Sequence, residues 1–197
     1  MTVRIILAGV GGQGILTLAR MIGNLARILN LDVKVSEVHG MAQRGGSVVV
    51  HISIGSEVNS PLIPYGRADW LVGLELIEAC RYIDYCNKQT KIVIDRRIIN
   101  PPLSGVVLTS NELINIIRAN YSNVYLISAY ERACELGNPL LTNSIVFGFL
   151  CRLKLLDADY SDYVQALSET IPKKVLRDNI TAFNEGLKMN EAQGNSF

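Results

Sequence analysis

Residues 3–8 form a continuous apolar run that leads straight into Gly9-Val10-Gly11-Gly12-Gln13-Gly14, and from Gly14 to about Asn30 apolar residues recur at helical spacing (Leu18, Met21, Ile22, Leu25, Leu29). A strand that is apolar at every position is one buried on both faces, as in a parallel sheet covered by helices. The glycine pattern G-x-G-x-x-G between a strand and a helix fits a tight turn from which side chains are absent. The free amide hydrogens at the start of such a helix point outward and carry a partial positive charge, so an anion can sit there. Three readings stay open at this point. The loop holds a dinucleotide, with Glu37 at the end of the second strand binding a ribose. The glycines only let strand and helix pack closely. Or the loop meets a phosphate-bearing group or a partner chain.

The rest of the chain alternates in the same manner. Strands are expected over 33–38, 47–54, 69–74, 91–95, 106–108 and 124–127. Helices are expected from Glu75 to about Asn87 and from Asn111 to about Ala119, with Ser110 as cap of the latter. In 47–54, Val48, Val50, Ile52 and Ile54 alternate with Val49, His51 and Ser53, which predicts one better-buried face. From Ala129 onward the signals turn helical. Residues 143–156 should be largely buried, and a final helix should start near Pro172, its stripe of Val175, Asn179, Phe183, Gly186 and Leu187 only partly apolar. The expected fold is α/β: a single Rossmann-like, open, mostly parallel sheet flanked by helices, with a helical C-terminal part. Residues 191–197 are expected to be a flexible tail.

Composition removes several function classes. The chain has 197 residues, 49% apolar and 19% charged, with a net charge of +1, so it lacks the basic excess of a nucleic-acid binder. Arg96-Arg97 and Lys173-Lys174 are short basic pairs that suit a solvated surface. No uninterrupted apolar stretch is long enough for a membrane span, and the apolar start is too short for a signal-peptide core, so a cytoplasmic protein is expected. Cys80, Cys86, Cys134 and Cys151 are spaced neither as iron–sulfur ligands nor as zinc knuckles, and suit small buried side chains. His39 and His51 are the only histidines; His51 suits a packed strand position, while His39 precedes the second motif. Asp69, Glu75 and Glu78 make no evident acid–base pair.

That second motif is His39-Gly40-Met41-Ala42-Gln43-Arg44-Gly45-Gly46. It presents one guanidinium, with its fork of donors for carboxylate or phosphate, in a glycine-flanked loop after the second strand. If the first two strands are parallel, both loops open at the same edge of the sheet. The alternative is that Arg44 caps a helix or pairs with an acid within the fold. The candidate binding residues are therefore Gly9, Gly11, Gly12, Gln13, Gly14, Arg44, Gly45 and Gly46; no catalytic residue and no metal ligand is expected in this chain.

Taken together, Gly-Val-Gly-Gly-Gln-Gly-Ile at 9–15, Gly-Met-Ala-Gln-Arg-Gly-Gly-Ser-Val at 40–48 and Ser60-Pro61-Leu62-Ile63-Pro64 resemble the gamma-type domain of pyruvate and ketoisovalerate ferredoxin oxidoreductases. The branch they resemble most is the beta subunit of indolepyruvate ferredoxin oxidoreductase. The likeness covers roughly residues 3–190, so residues 1–190 are expected to be one such domain. It implies a subunit of an enzyme that oxidatively decarboxylates a 2-oxoacid, such as an aryl-pyruvate, to an acyl-coenzyme A. Thiamine diphosphate, magnesium and iron–sulfur clusters are then expected in a large partner subunit. Ferredoxin is reached through the complex, this chain is inactive alone, and coenzyme A is a candidate contact. Homo-oligomers of the isolated chain are also open.

Two other readings compete. One is a free-standing Rossmann-like dinucleotide-binding protein, resting on the first glycine motif and Glu37. The other is a scaffold that merely supports its partner. For a partner surface, the apolar, proline-stiffened loop of residues 60–65 is the candidate, against the alternative that it folds over its own domain.

Overall fold

A computed structural model describes residues 2–40, 42, 45–100 and 109–190. Among these residues six strands lie in the order β2-β3-β1-β4-β5-β6: β1 (Val3–Val10), β2 (Asp32–His39), β3 (Ser47–Gly55), β4 (Trp70–Gly73), β5 (Lys91–Asp95) and β6 (Val124–Ile127). β1, β4, β5 and β6 pair in parallel, whereas β3 runs antiparallel to both β1 and β2. The sheet is thus open and mostly parallel, as expected, with one reversed strand placed between the first two. Because β2 and β1 are each antiparallel to β3, they point the same way and end at the same rim. The strand expected at 106–108 lies outside the described residues.

Among the described residues, seven helices flank the sheet: α1 (Ile15–Ile28), α2 (Leu76–Arg81), α3 (Ser110–Asn120), α4 (Ala129–Glu135), α5 (Thr142–Arg152), α6 (Tyr160–Thr170) and α7 (Leu176–Lys188). Side chains alternate along each strand, so the sheet feeds two cores. Ile5, Leu7, Val50 and Val72 face a large core with Leu18, Met21 and Ile22 of α1 and with α5, α6 and α7. Ile6, Ala8, Val49 and Leu71 face a smaller one with Leu76 and Ala79 of α2, Ile114 and Ile117 of α3, and Ile63. Every residue of β3 after Ser47 is buried, so the side of Val49, His51 and Ser53 is covered as fully as its opposite, where one better-buried face was expected.

Three local expectations shift. The helix opened by Glu75 is shorter than expected: it ends at Arg81, and a one-turn 3-10 segment, Ile83–Tyr85, follows. The cap of α3 is Thr109 rather than Ser110. The Thr109 hydroxyl accepts from Glu112 N–H while the Glu112 carboxylate accepts from Thr109 N–H, a reciprocal pair that leaves Ser110 as the first helical residue. Pro172 precedes a short 3-10 turn, Lys173–Val175, and the last helix begins at Leu176. Its Asn179, Phe183 and Gly186 are buried against α5, and Arg177, Asp178 and Thr181 face solvent. The crossing is backbone on backbone: a Cβ on Gly148 would stand 2.0 Å from Phe183 O, and one on Gly186 would stand 1.9 Å from Ile145 O.

The connections decide where a ligand can enter. After β1 the chain passes to α1 on one face; after the neighbouring β4 it passes to α2 on the other. A crevice therefore opens between the carboxyl ends of β1 and β4, the place where open α/β sheets receive ligands.

Candidate functional site at the carboxyl rim of the sheet

The glycine loop lies at that crevice. Gly9, the penultimate residue of β1, lies opposite Val48 of β3. Gln13 folds back over the turn: its Oε1 accepts from Val10 N–H at 2.7 Å and its Nε2 donates to Leu74 O at 3.0 Å, tying the ends of β1 and β4 together. Gly12 has φ +100° and Gly14, the residue before α1, has φ +79°; both lie in the region that L side chains rarely adopt. A Cβ on Gly12 would meet nothing within 4 Å, so its exposed side is open. Among the described residues, no acceptor takes the amide hydrogens of Gly12, Gly14, Ile15 or Leu16. These amides lie at the positive end of a fourteen-residue helix.

The second glycine turn meets the first directly. Gly11 N–H donates to Gly46 O at 2.8 Å, and Gly45 N–H donates to Gly11 O at 3.1 Å. A Cβ on Gly46 would stand 2.5 Å from Ala42 O, so this turn closes too tightly for a side chain. The structure thus brings Gly9, Gly11, Gly12, Gln13, Gly14, Gly45 and Gly46 to one rim. Arg44 lies outside the described residues. His39 ends β2, exposed, and lines a depression of about 400 Å³ with Gly11, Gly12, Gly14 and Leu16.

Glu37 does not join them. It is exposed on β2, and β3 stands between β2 and the glycine loop's strand. Two strand spacings make roughly 10 Å. In a dinucleotide fold the second strand neighbours the first, so the inserted strand removes the acid from the place a ribose would need it.

On its other side the same loop borders a second crevice, about 390 Å³, which the linear sequence does not reveal. Its lining joins Gly11, Gly12, Gln13 and Gly45 to Leu74, Arg97, Ile99, Tyr130, Leu140 and Thr142. Arg97, expected on a solvated surface, is half-buried, with Cζ 3.7 Å from the centre of the Tyr130 ring. Asp95 ends β5 nearly fully buried and accepts from Arg97 N–H at 2.9 Å and from Tyr130 N–H at 2.7 Å. Burial pushes its carboxyl up to about 6, against the pull of those two amides. The signal that could have found Arg97 is positional, since it lies just beyond the carboxyl end of a parallel strand. Behind the loop, Asn143 Nδ2 would lie 2.1 Å from a Cβ on Gly14, while its buried Oδ1 has no partner among the described residues.

The remaining polar groups serve the fold. His51 is buried, its Nδ1 accepts from Ile63 N–H at 3.3 Å, and burial lowers its pKa. Glu75 caps α2 by accepting from Glu78 N–H at 2.7 Å, and also accepts from Ile99 N–H at 2.9 Å. Asp69 accepts from Arg4 N–H. The thiols of Cys80, Cys86 and Cys151 are pushed up to about 11, 12 and 11 by burial. Among the described residues, no three His, Cys, Asp or Glu side chains gather to hold a metal ion. No helix among them is long and apolar enough to cross a membrane. In the loop of residues 60–65 both readings hold for different side chains: Ile63 is buried in the smaller core, whereas Leu62 and Tyr65 are 62% and 72% exposed.

Comparison with known proteins adds the following. Residues 4–189 match the family model described as pyruvate ferredoxin/flavodoxin oxidoreductase. Indolepyruvate oxidoreductase subunit IorB of Archaeoglobus fulgidus is 38% identical over 190 residues, covering 94% of each chain. The gamma subunit of a keto/oxoacid ferredoxin oxidoreductase from Geobacter sulfurreducens shares the fold, with TM-score 0.69 at 17% identity over 95% of both chains. So does 2-oxoglutarate:ferredoxin oxidoreductase from Magnetococcus marinus, solved with 2-oxoglutarate, coenzyme A and succinyl-CoA bound. There the TM-score is 0.71 at 20% identity, over 98% of this chain and 32% of that longer one.

Proposed function

This chain belongs to the pyruvate ferredoxin/flavodoxin oxidoreductase family, and on that footing we propose that it is the small subunit of a 2-oxoacid:ferredoxin oxidoreductase acting on indolepyruvate or a related aryl-pyruvate. In this reading a large subunit holds thiamine diphosphate, magnesium and iron–sulfur clusters and passes electrons to ferredoxin. This chain contributes the glycine rim. Its similarity to a named subunit of an indolepyruvate oxidoreductase supports the assignment to a heteromer.

The observation that carries the site is the double hydrogen bond between the two glycine turns at the crevice beside β1. The residues there fit an anionic group. The amides of Gly12, Gly14 and Ile15 at the helix start have no acceptor among the described residues, Gly12 leaves open space beside it, and Gly45 lines the same crevice as Gly12. Coenzyme A, which a similar protein binds, would supply the thiol that takes up the acyl group. The role of this chain is then to hold the phosphates of coenzyme A on the rim that Gly9, Gly11, Gly12, Gln13, Gly14, Gly45 and Gly46 build, the unpartnered amides of Gly12 and Gly14 donating and Arg44 serving as a charged partner. The dinucleotide reading is weaker because β3 separates Glu37 from the loop.

The test is reconstitution. The chain alone is expected to turn over no 2-oxoacid. Mixed with its large subunit, it should restore 2-oxoacid- and coenzyme A-dependent ferredoxin reduction. Full activity of the isolated chain, or micromolar NAD binding by it that Glu37→Ala abolishes, would contradict the proposal.

A further inference from the structure

We propose that Arg97, laid on the ring of Tyr130, is a binding residue of the rim and engages a phosphate group of the ligand that the glycine loop receives; this rests on the reading of that loop given above. Three observations carry it. First, Arg97 shares the 390 Å³ crevice with Gly11 and Gly12, so a single ligand can touch the loop and the guanidinium together. Second, the side chain is held in place. One buried carboxylate, Asp95, accepts the backbone N–H of both Arg97 and Tyr130, which fixes their segments relative to each other. The guanidinium then stacks 3.7 Å from the ring centre. Stacking on Tyr130 covers one face and leaves the in-plane N–H fork free to meet oxygens, an arrangement a lysine cannot reproduce. Third, among the described residues no carboxylate pairs with it. Asp95 itself is occupied by the two amides.

A half-buried guanidinium without a carboxylate partner among the described residues, in one crevice with the unpartnered amide of Gly12, is an anion receptor in two parts. A phosphate can accept from a guanidinium fork and from backbone amides at once because it offers three oxygens. The same crevice is also lined by the apolar Leu74, Ile99 and Leu140, which suit an uncharged portion of the same ligand. The competing source of an anion is the carboxylate of the 2-oxoacid, and the experiment separates the two.

The assembled enzyme, large subunit with this chain, is prepared as wild type, R97L, R97K and Gly12→Ala. Coenzyme A affinity is measured by calorimetry, and KM is measured for coenzyme A and for the 2-oxoacid. Loss of a charged hydrogen bond predicts a coenzyme A affinity weakened by about tenfold to a hundredfold in R97L. R97K should fall between R97L and wild type, and the KM for the 2-oxoacid should stay within about twofold. Unchanged coenzyme A affinity in R97L, with Gly12→Ala weakened, overturns the role of Arg97 and leaves the loop reading standing. A rise confined to the 2-oxoacid KM overturns it in favour of the substrate carboxylate. Wild-type enzyme that binds no coenzyme A brings down the loop reading and this inference together. If R97L does not assemble, R97K decides: affinity equal to wild type overturns the proposal.

Discussion

Two groups of glycines do opposite things in this molecule. At the crossing of α5 and α7, Gly148 and Gly186 let two backbones touch, and an added Cβ would land 2.0 Å and 1.9 Å from carbonyl oxygens. At the carboxyl rim, Gly12 has φ +100° and a Cβ there would meet nothing within 4 Å. In the first place the missing side chain is filled by protein, and in the second it is left as space. A glycine that packs is a stability element; one that turns the chain and keeps the space clear is, in the function proposed for this rim, a receptor element.

The sharpest way to break this contrast is to add one methyl group in each place. Gly186→Ala forces two helices apart in the large core, and a loss of about 3 kcal/mol or more is expected in urea unfolding, or no folded protein at all. Gly12→Ala strains only its own φ, at about 1–2 kcal/mol, so the chain should fold while coenzyme A-dependent turnover of the assembled enzyme falls at least tenfold. A Gly186→Ala chain as stable as wild type would remove the distinction from one side. A fully active Gly12→Ala enzyme would remove it from the other.

Asp95 sharpens the comparison at smaller scale, because its rim position is paid for in protonation. Burial raises its folded pKa to about 6, above the unfolded value near 3.9. The folded state therefore binds this proton more tightly. The contribution is fully present below about pH 4 and is lost as pH rises through 6. Unfolding curves of wild type and Asp95→Asn should diverge by roughly 2–3 kcal/mol across that window; parallel curves would exclude the account. The smallest effect is expected at the surface. Arg132 bridges Glu135 at 2.5 Å and Glu185 at 2.7 Å, but it is 40% exposed, so Arg132→Ala should cost under about 1 kcal/mol.

Much of this was legible in the linear chain, for reasons tied to local chemistry. The all-apolar run of β1, the glycine turn and the 3.6-residue spacing of α1 are local signals, and they gave both the α/β class and the rim. The two motifs were expected at one edge because parallel strands end together, and β2 does run parallel to β1. Strand order was not legible: nothing in residues 47–54 says that they slot between the first two strands, and that insertion moves Glu37 away from the loop. Arg97 looked like surface because its partners, Tyr130 and Asp95, are set by tertiary pairing of β5 and β6. The packing glycines of α5 and α7 are thirty-eight positions apart in sequence (148 and 186) and meet only in the folded core. Thr109 outcompeted Ser110 as cap because Glu112 stands three residues beyond it and can answer it.

The most direct measurement is hydrogen exchange on the assembled enzyme, with and without coenzyme A, followed by peptides spanning residues 9–18 and 45–50. Slowed exchange there on adding coenzyme A, with none in peptides from the α5–α7 crossing, is the result expected if the two glycine turns form the anion site. Exchange at both turns that is indifferent to saturating coenzyme A would contradict it.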